Sequence, residues 1–364
     1  MKNEQQIILE ILKYENDEKL IEMFNNKSIN WIEVLGYLTY HRVAGLVYEK
    51  MNNINIRLLD YPVFLTSYMI NESQKIRAIE QNKWINKISE ALTYNNITHV
   101  FLKGSVLNST LFSYGSRVSN DIDLLINKKN IVKATEVLNN LGFIQGKFDY
   151  KKNIIKPFTQ EEIETSIKTR GETAPFIKIS DNPTIKTIDV DINFSLDWDP
   201  NTSENTIAYF LDHRIQIENH DKNLIYSLND CHNFIELCVH LYKDSALIDI
   251  LTKRKVLDLY KFVDIYYFIK SRFKNIEITN LYEEIKKFKL EKYIYFALRY
   301  ITELFPDSKT KDIENLLIKL KTNDEVLSTI FDQYNPEVQM TTNIPIIERI
   351  FSYDVIKHYS GGTK

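Results

Sequence analysis

The sequence predicts an α+β protein: a mixed β-sheet core with helices, flanked by a helical N-terminal region and a helical C-terminal domain. Three observations lead there. Helical periodicity fills residues 1–95 and returns from about residue 204 onward. Two short apolar strands, 98–102 and 121–126, bracket a single short helix. A third segment, 187–196, alternates polar and apolar residues as a half-buried strand does. The expected organisation is therefore a helical region 1–95, a core 96–203 and a helical domain 204–364.

Each element has a local reason. Ile7, Ile8, Ile11 and Leu12 recur at helical spacing, as do Leu35, Leu38, Val43, Leu46 and Val47. Asn71 or Ser73 is placed to cap a long polar helix reaching about Tyr94, with Pro62 marking a break before it. Asn95-Asn96 is a turn signal, and the apolar, partly β-branched run 98–102 follows it. Residues 129–141 form an amphipathic helix that Gly142 ends. The stretch 143–183, punctuated by Pro157, Pro175 and Pro183, reads as hairpins and loops. Further helices are expected at 229–243, 254–271, 279–304, 310–332 and 343–358, with a frayed tail at 360–364.

Composition excludes several classes. At 364 residues and 44% hydrophobic, the chain can bury a sizeable core. A net charge of -3 argues against a protein built to coat nucleic acid. Two cysteines, Cys231 and Cys238, are too few for a disulfide framework and suit a reducing compartment. The first residues lack the pattern of a signal peptide, and no apolar stretch is long enough to span a bilayer. The expectation is a cytoplasmic chain without a membrane partner.

The chemistry concentrates in carboxylates. Side chains alternate across a strand, so Asp121 and Asp123 share one face while Ile122 and Leu124 point to the core. Adjacent carboxylates repel unless a cation or water lies between them. Their hard oxygens suit Mg²⁺ or Mn²⁺. The third strand repeats the device at Asp189, Asp191 and Asn193. If that strand neighbours the second, Asp191 joins Asp121 and Asp123 around two ions, and Asp189 competes for the place. A lone Asp-x-Asp is ordinarily only a solvated strand face.

Gly104 and Ser105 alter that balance. They end an apolar strand and open a helix, where a missing Cβ, helix-start amides and a hydroxyl suit phosphate oxygens. Neither a Walker A loop nor a Rossmann glycine fingerprint occurs in the chain.

The string FLKGSVLNSTLFSYGSRVSNDIDLLI resembles the nucleotidyltransferases of the DNA polymerase β superfamily. There a Gly-Ser pair precedes an Asp-x-Asp or Asp-x-Glu strand, and a later strand adds a third carboxylate. The matching positions are Gly104, Ser105, Asp121, Asp123 and Asp191. It looks closer still to a bacterial nucleotidyltransferase family reading roughly LKG…Y…R…DIDLL. YLTYHRVAGLVYEKM at 37–51, CVHLYK at 238–243 and LYKFVDIYYFI at 259–269 look like further parts of that family. One departure is Asn193-Phe194, where that family often has a His-Trp pair.

The resemblance implies transfer of a nucleoside monophosphate from an NTP to an acceptor hydroxyl, with Mg²⁺ or Mn²⁺ held by Asp121, Asp123 and Asp191. Gly104 and Ser105 are then expected at the phosphates, with Lys103 and Arg117 as further candidates whose alternative is a solvated surface cation. His240 and Lys243, one helical turn apart, are candidates for substrate contact. His232, Glu236 and His240 form a one-sided stripe, but no Cys or Asp signature completes a zinc site, so a buried, hydrogen-bonded His is expected. A small-molecule acceptor fits the acidic balance best. The alternatives are a protein or RNA acceptor, as for toxin-like relatives, or a scaffold that keeps a degenerate nucleotide fold.

Overall fold

The computed structural model describes residues 1–15, 18–26, 28–197, 204–252 and 257–361. Its helices and mixed multi-strand sheet make an α+β fold, as the sequence predicts. The N-terminal helices are α1 (Asn3–Ile11), α2 (Glu18–Asn26), α3 (Trp31–Tyr40), α4 (Ala44–Ile54) and α5 (Tyr61–Tyr94). Pro62 does not break the chain before α5 but sits in its first turn, where its missing amide costs no helical hydrogen bond. The helix therefore starts well ahead of Asn71.

Next come β1 (His99–Phe101), α6 (Gly104–Thr110), β2 (Ile122–Ile126) and α7 (Ile131–Asn140). Gly142, at φ +83°, ends α7 as expected, and the Phe143 amide reaches back 3.0 Å to the Leu138 carbonyl. The stretch 143–183 holds more order than hairpins and loops. It forms β3 (Ile144–Asp149), β4 (Ile154–Pro157), α8 (Gln160–Thr169) and β5 (Phe176–Ile179). A capping box between Thr159 and Glu162 starts α8. Then follow β6 (Thr187–Asn193), α9 (Glu204–Asp212), β7 (Ile215–Glu218), β8 (Leu224–Ser227) and α10 (Asp230–Ser245).

The hairpin β7–β8 corrects the expectation of helix throughout the region after 204. Asn219 Oδ1 accepts the amides of Asp221 and Asn223, each at 3.0 Å, which closes a turn no helix could accommodate. Beyond α10 lie α11 (Ile248–Thr252), α12 (Leu259–Ser271), α13 (Ile278–Lys287), α14 (Glu291–Leu304), α15 (Lys311–Lys319), α16 (Glu325–Ser328), β9 (Thr329–Phe331), β10 (Gln339–Thr341), α17 (Ile346–Ile350) and β11 (Ser360–Gly361).

The single helix expected at 279–304 is broken at Lys289, whose φ is +57°. That expected at 310–332 stops at Lys319. Asn323 Oδ1 accepts the Glu325 amide at 3.1 Å and restarts the chain as the short α16, before the β-branched Thr329-Ile330 turns into a strand. At 343–358 only α17 is α-helical, with Pro345 as its N-cap. Residues 254–256 of the expected 254–271 helix, and 362–364 of the expected tail, lie outside the described residues.

The chain divides into two compact units, Met1–Met69 with Phe234–Lys364, and Ile70–Asn233. The first is largely helical and carries the small sheet β11-β10-β9. The second contains, among the described residues, an eight-stranded sheet in the order β4-β3-β5-β6-β2-β1-β8-β7. Strands β2 and β6 pair in parallel, as do β1 and β8, and the other neighbours are antiparallel.

The sheet's core face explains its order. Ile122, Leu124 and Ile126 of β2 and Ile188, Val190 and Ile192 of β6 join Trp84, Ile85, Ile88 and Leu92 of α5 in one buried cluster. Each such side chain contributes about 1.5–3 kcal/mol on burial. Six of them outweigh the few kcal/mol of repulsion that the carboxylates on the opposite face impose. The alternation thus pins the register, since a one-residue slip would send every one of these side chains to the wrong face.

Candidate active site

The carboxylates meet because β2 and β6 are neighbours in register. Asp123 lies directly opposite Asp191, flanked by the pairs Ile122 with Val190 and Leu124 with Ile192. In a parallel pair, residues at one register position share a face. Asp121 immediately precedes β2, which begins at Ile122, one residue later than the alternation suggested. Asn193, also on β6, donates 3.4 Å from its Nδ2 to Asp123 Oδ1 and to the Leu124 carbonyl.

The turn from β1 into α6 lies beside them. The Asp123 amide donates to Ser105 Oγ at 2.9 Å, which ties the turn to β2. The Ser105 and Val106 amides are bonded 3.1 Å from the carbonyls of Leu102 and Lys103, which closes the turn and starts α6. Lys103 itself stands at φ +48°, ψ -123°, the first corner of a type II′ turn and a place that favours glycine. Such a conformation costs about 1–3 kcal/mol for a residue with a side chain. Its ammonium ends 2.9 Å from Asp123 Oδ1, with both side chains nearly buried.

Gly104 has a reason that the sequence did not disclose. A Cβ there would overlap Ser119 Oγ and come within 2.6 Å of Arg117 Nη1. Its bareness lets the loop before β2 close on the turn. Arg117 is buried rather than solvated, and its guanidinium donates to the Val118 carbonyl at 3.2 Å and to Asn108 Oδ1 at 3.5 Å. Ser119 Oγ donates to the Asp121 carbonyl at 3.1 Å. At the loop's other end Gly115, at φ +103°, leaves no room for a Cβ against the Asn71 carbonyl.

The electrostatics of the face are strained. Burial, then the charge of Asp123, raises the Asp121 carboxyl to about 6, and Lys103 opposes the rise. Asp191 is pushed well above the usual carboxylate range by burial and then by Asp121, Glu172 and Asp123. Burial also raises Asp189, against a hydrogen bond from Thr187 and the charge of Arg77. One Asp189 oxygen is buried without a hydrogen-bond partner among the described residues. Among those residues, no three His, Cys, Asp or Glu side chains are already drawn together as a metal cage. The donor chemistry nonetheless fits a hard divalent cation: crowded, mutually repelling carboxylate oxygens that positive charge would relieve.

The remaining sequence candidates are carried by α10. His240 and Lys243 belong to the helical unit, on α10. There His240 Nε2 lies 3.7 Å from Asp244, which also pairs with the buried Lys261. His232 is a core residue stacked face to face on Phe210, with ring centroids 4.0 Å apart. Two residues at the carboxylate face went unassigned in the sequence. Asn193 carried a signal, as the next polar position of the alternating strand. Glu172 lies in the unreadable stretch and reaches the site through a bridge to Asn193, which no local pattern encodes.

The carboxylate-bearing strands β2 and β6 thus lie beside the Gly-Ser turn. Residues 27–306 match the family described as "Uncharacterised nucleotidyltransferase". The match spans more than half of the 364 residues, so the chain belongs to that family and is a nucleotidyltransferase, an enzyme class that implies an NTP substrate. No curated protein matches the chain. Among the described residues, no helix is long and apolar enough to cross a membrane.

Two outcomes test this geometry. Gly104→Ala should displace Arg117 and Ser119 and lower stability by about 1–3 kcal/mol, as overpacking does, read by thermal or urea unfolding. The second concerns pH. A carboxyl raised in the native state binds protons more readily there, so it adds stability as pH falls through about 6 and withdraws it as pH rises. In EDTA, Asp121→Asn should therefore stabilise the protein at pH 7.5 by about 1–2 kcal/mol, and the gap should narrow as pH falls below about 6 and close only near the ordinary aspartate value of 3.8. Comparison with the variant cancels the opposite trend of buried His41 and His99, whose values fall to about 3 and about 4. A gap that does not change with pH would contradict the assignment.

Proposed function

We propose that the chain transfers a nucleoside monophosphate from an NTP to a hydroxyl of a small-molecule acceptor, releasing pyrophosphate. The observation that carries this reading is Asp123 opposite Asp191 across β2 and β6, with Asp121 just ahead of β2. It supports assigning Asp121, Asp123 and Asp191 as ligands of two Mg²⁺ or Mn²⁺ ions, in the manner of the DNA polymerase β superfamily. Asp191 is preferred to Asp189 because it is the one in register with Asp123. Bound there, the ions would neutralise the triphosphate and lower the pKa of the acceptor hydroxyl.

The chain's own residues do the positioning. Ser105 Oγ already accepts the Asp123 amide, which leaves its hydroxyl hydrogen for a phosphate oxygen. Arg117 and Ser119 hold the preceding loop against Gly104, and so fix where Asp121 enters β2. The acceptor oxygen attacks the α-phosphorus, the bond to the bridging oxygen of the β-phosphate breaks, and the hydroxyl proton passes to Asp191. The net charge of -3 supports a small acceptor over RNA.

The test is pyrophosphate release from each of the four NTPs with Mg²⁺, in the presence of small hydroxylated compounds, a protein or an RNA. Turnover is expected with small acceptors. Asp123→Asn, which removes a carboxylate and keeps the shape, should lower it by about a thousandfold or more, the equivalent of several kcal/mol of transition-state stabilisation. Full activity in that variant would contradict the carboxylate reading. Turnover only with protein or RNA would contradict the choice of acceptor.

A further inference from the structure

The nearest cation to the carboxylate pair is a side chain on a backbone that suits glycine. Lys103 occupies the first corner of a type II′ turn at φ +48°, ψ -123°, and the Ser105 amide closes that turn on the Leu102 carbonyl at 3.1 Å. Glycine would take that corner without strain. What the lysine adds is an ammonium 2.9 Å from Asp123 Oδ1, in a pocket where its side chain is only 13% exposed and that of Asp123 only 10%. Asn193 Nδ2 points at the same oxygen from 3.4 Å. Asp123 Oδ1 therefore already has two donors directed at it.

We propose that Lys103 is a resident counter-ion of the carboxylate site, which holds Asp123 until a divalent cation arrives and yields Asp123 Oδ1 to it. The proposal rests on the metal reading given above and adds an order of events to it. A carboxylate oxygen committed to an ammonium is a poor ligand, so ammonium and metal compete for it, and each weakens the other's hold. An ammonium this buried is stabilised by any further anion brought beside it as it leaves Asp123. The triphosphate that accompanies the metal supplies one. Metal alone then binds weakly, and metal with nucleotide binds tightly. The lysine keeps the site from loading an ion that brings no substrate.

Three variants of the full-length protein separate this from a structural role. Lys103→Gly removes the ammonium and relieves the backbone, so it is the replacement least prone to unfold. Lys103→Gln tests the same loss with a side chain retained, and Lys103→Arg keeps the charge. Binding of Mn²⁺ alone is followed by the electron paramagnetic resonance of the free ion, then repeated with α,β-methylene-ATP, which cannot transfer its nucleotide. Affinity for Mn²⁺ alone should rise about ten- to a hundredfold in Lys103→Gly and Lys103→Gln, the span that a charge-assisted hydrogen bond to a buried group represents. Lys103→Arg should resemble the wild type. The nucleotide should tighten Mn²⁺ binding in the wild type and much less in the two uncharged variants.

Equal or weaker binding of Mn²⁺ alone in both uncharged variants would overturn the counter-ion role while leaving the metal site standing. No Mn²⁺ binding by any of the proteins, with or without nucleotide, would overturn the metal reading and the counter-ion role together.

Discussion

The parallel pairing of β2 with β6 is the constraint on which the site depends. It sets Asp123 beside Asp191 at one register position, and it does so through side chains on the other face of the sheet. Ile122, Leu124, Val190 and Ile192 have one way to reach the core under α5, and that way leaves the carboxylates side by side. Hydrophobic burial therefore imposes an arrangement that electrostatics alone would disperse. Burial first, and then that crowding, raises the proton affinities of Asp121 and Asp191.

Around this pair the rest of the unit works as a brace. Ser105 ties the β1–α6 turn to the Asp123 amide, and the bare face of Gly104 admits Arg117 and Ser119. Ser119 in turn holds the Asp121 carbonyl. Together these contacts join the Gly-Ser turn, the loop before β2 and the strand that carries Asp123. The strained corner at Lys103 belongs to the same brace. Its backbone cost is tolerated where its ammonium offsets two crowded carboxylates. Local strain and local repulsion thus meet at one place, which is where catalytic constellations are generally found.

Much of this was legible in the sequence, because much of it is local. The period of two in Asp121-Ile122-Asp123-Leu124 places both acids on one face, and the alternation around Asp191 does the same. The Gly-Ser turn after an apolar strand is equally local. What stayed hidden is non-local or conformational. No spacing tells that β6, rather than β1 alone, flanks β2, and none reveals Glu172 beside Asn193. The hairpin β7–β8 was lost in a region of helical periodicity because its strands are only four residues each. The left-handed corner at Lys103 has no sequence signature, since a lysine there is the unexpected choice.

The most direct measurement is the anomalous diffraction of crystals grown with Mn²⁺ and a non-transferable NTP analogue. The account predicts manganese peaks bounded by the carboxylates of Asp121, Asp123 and Asp191, with the triphosphate alongside Ser105. Nucleotide bound with manganese elsewhere, and Asp123 and Asp191 left without a metal, would contradict it.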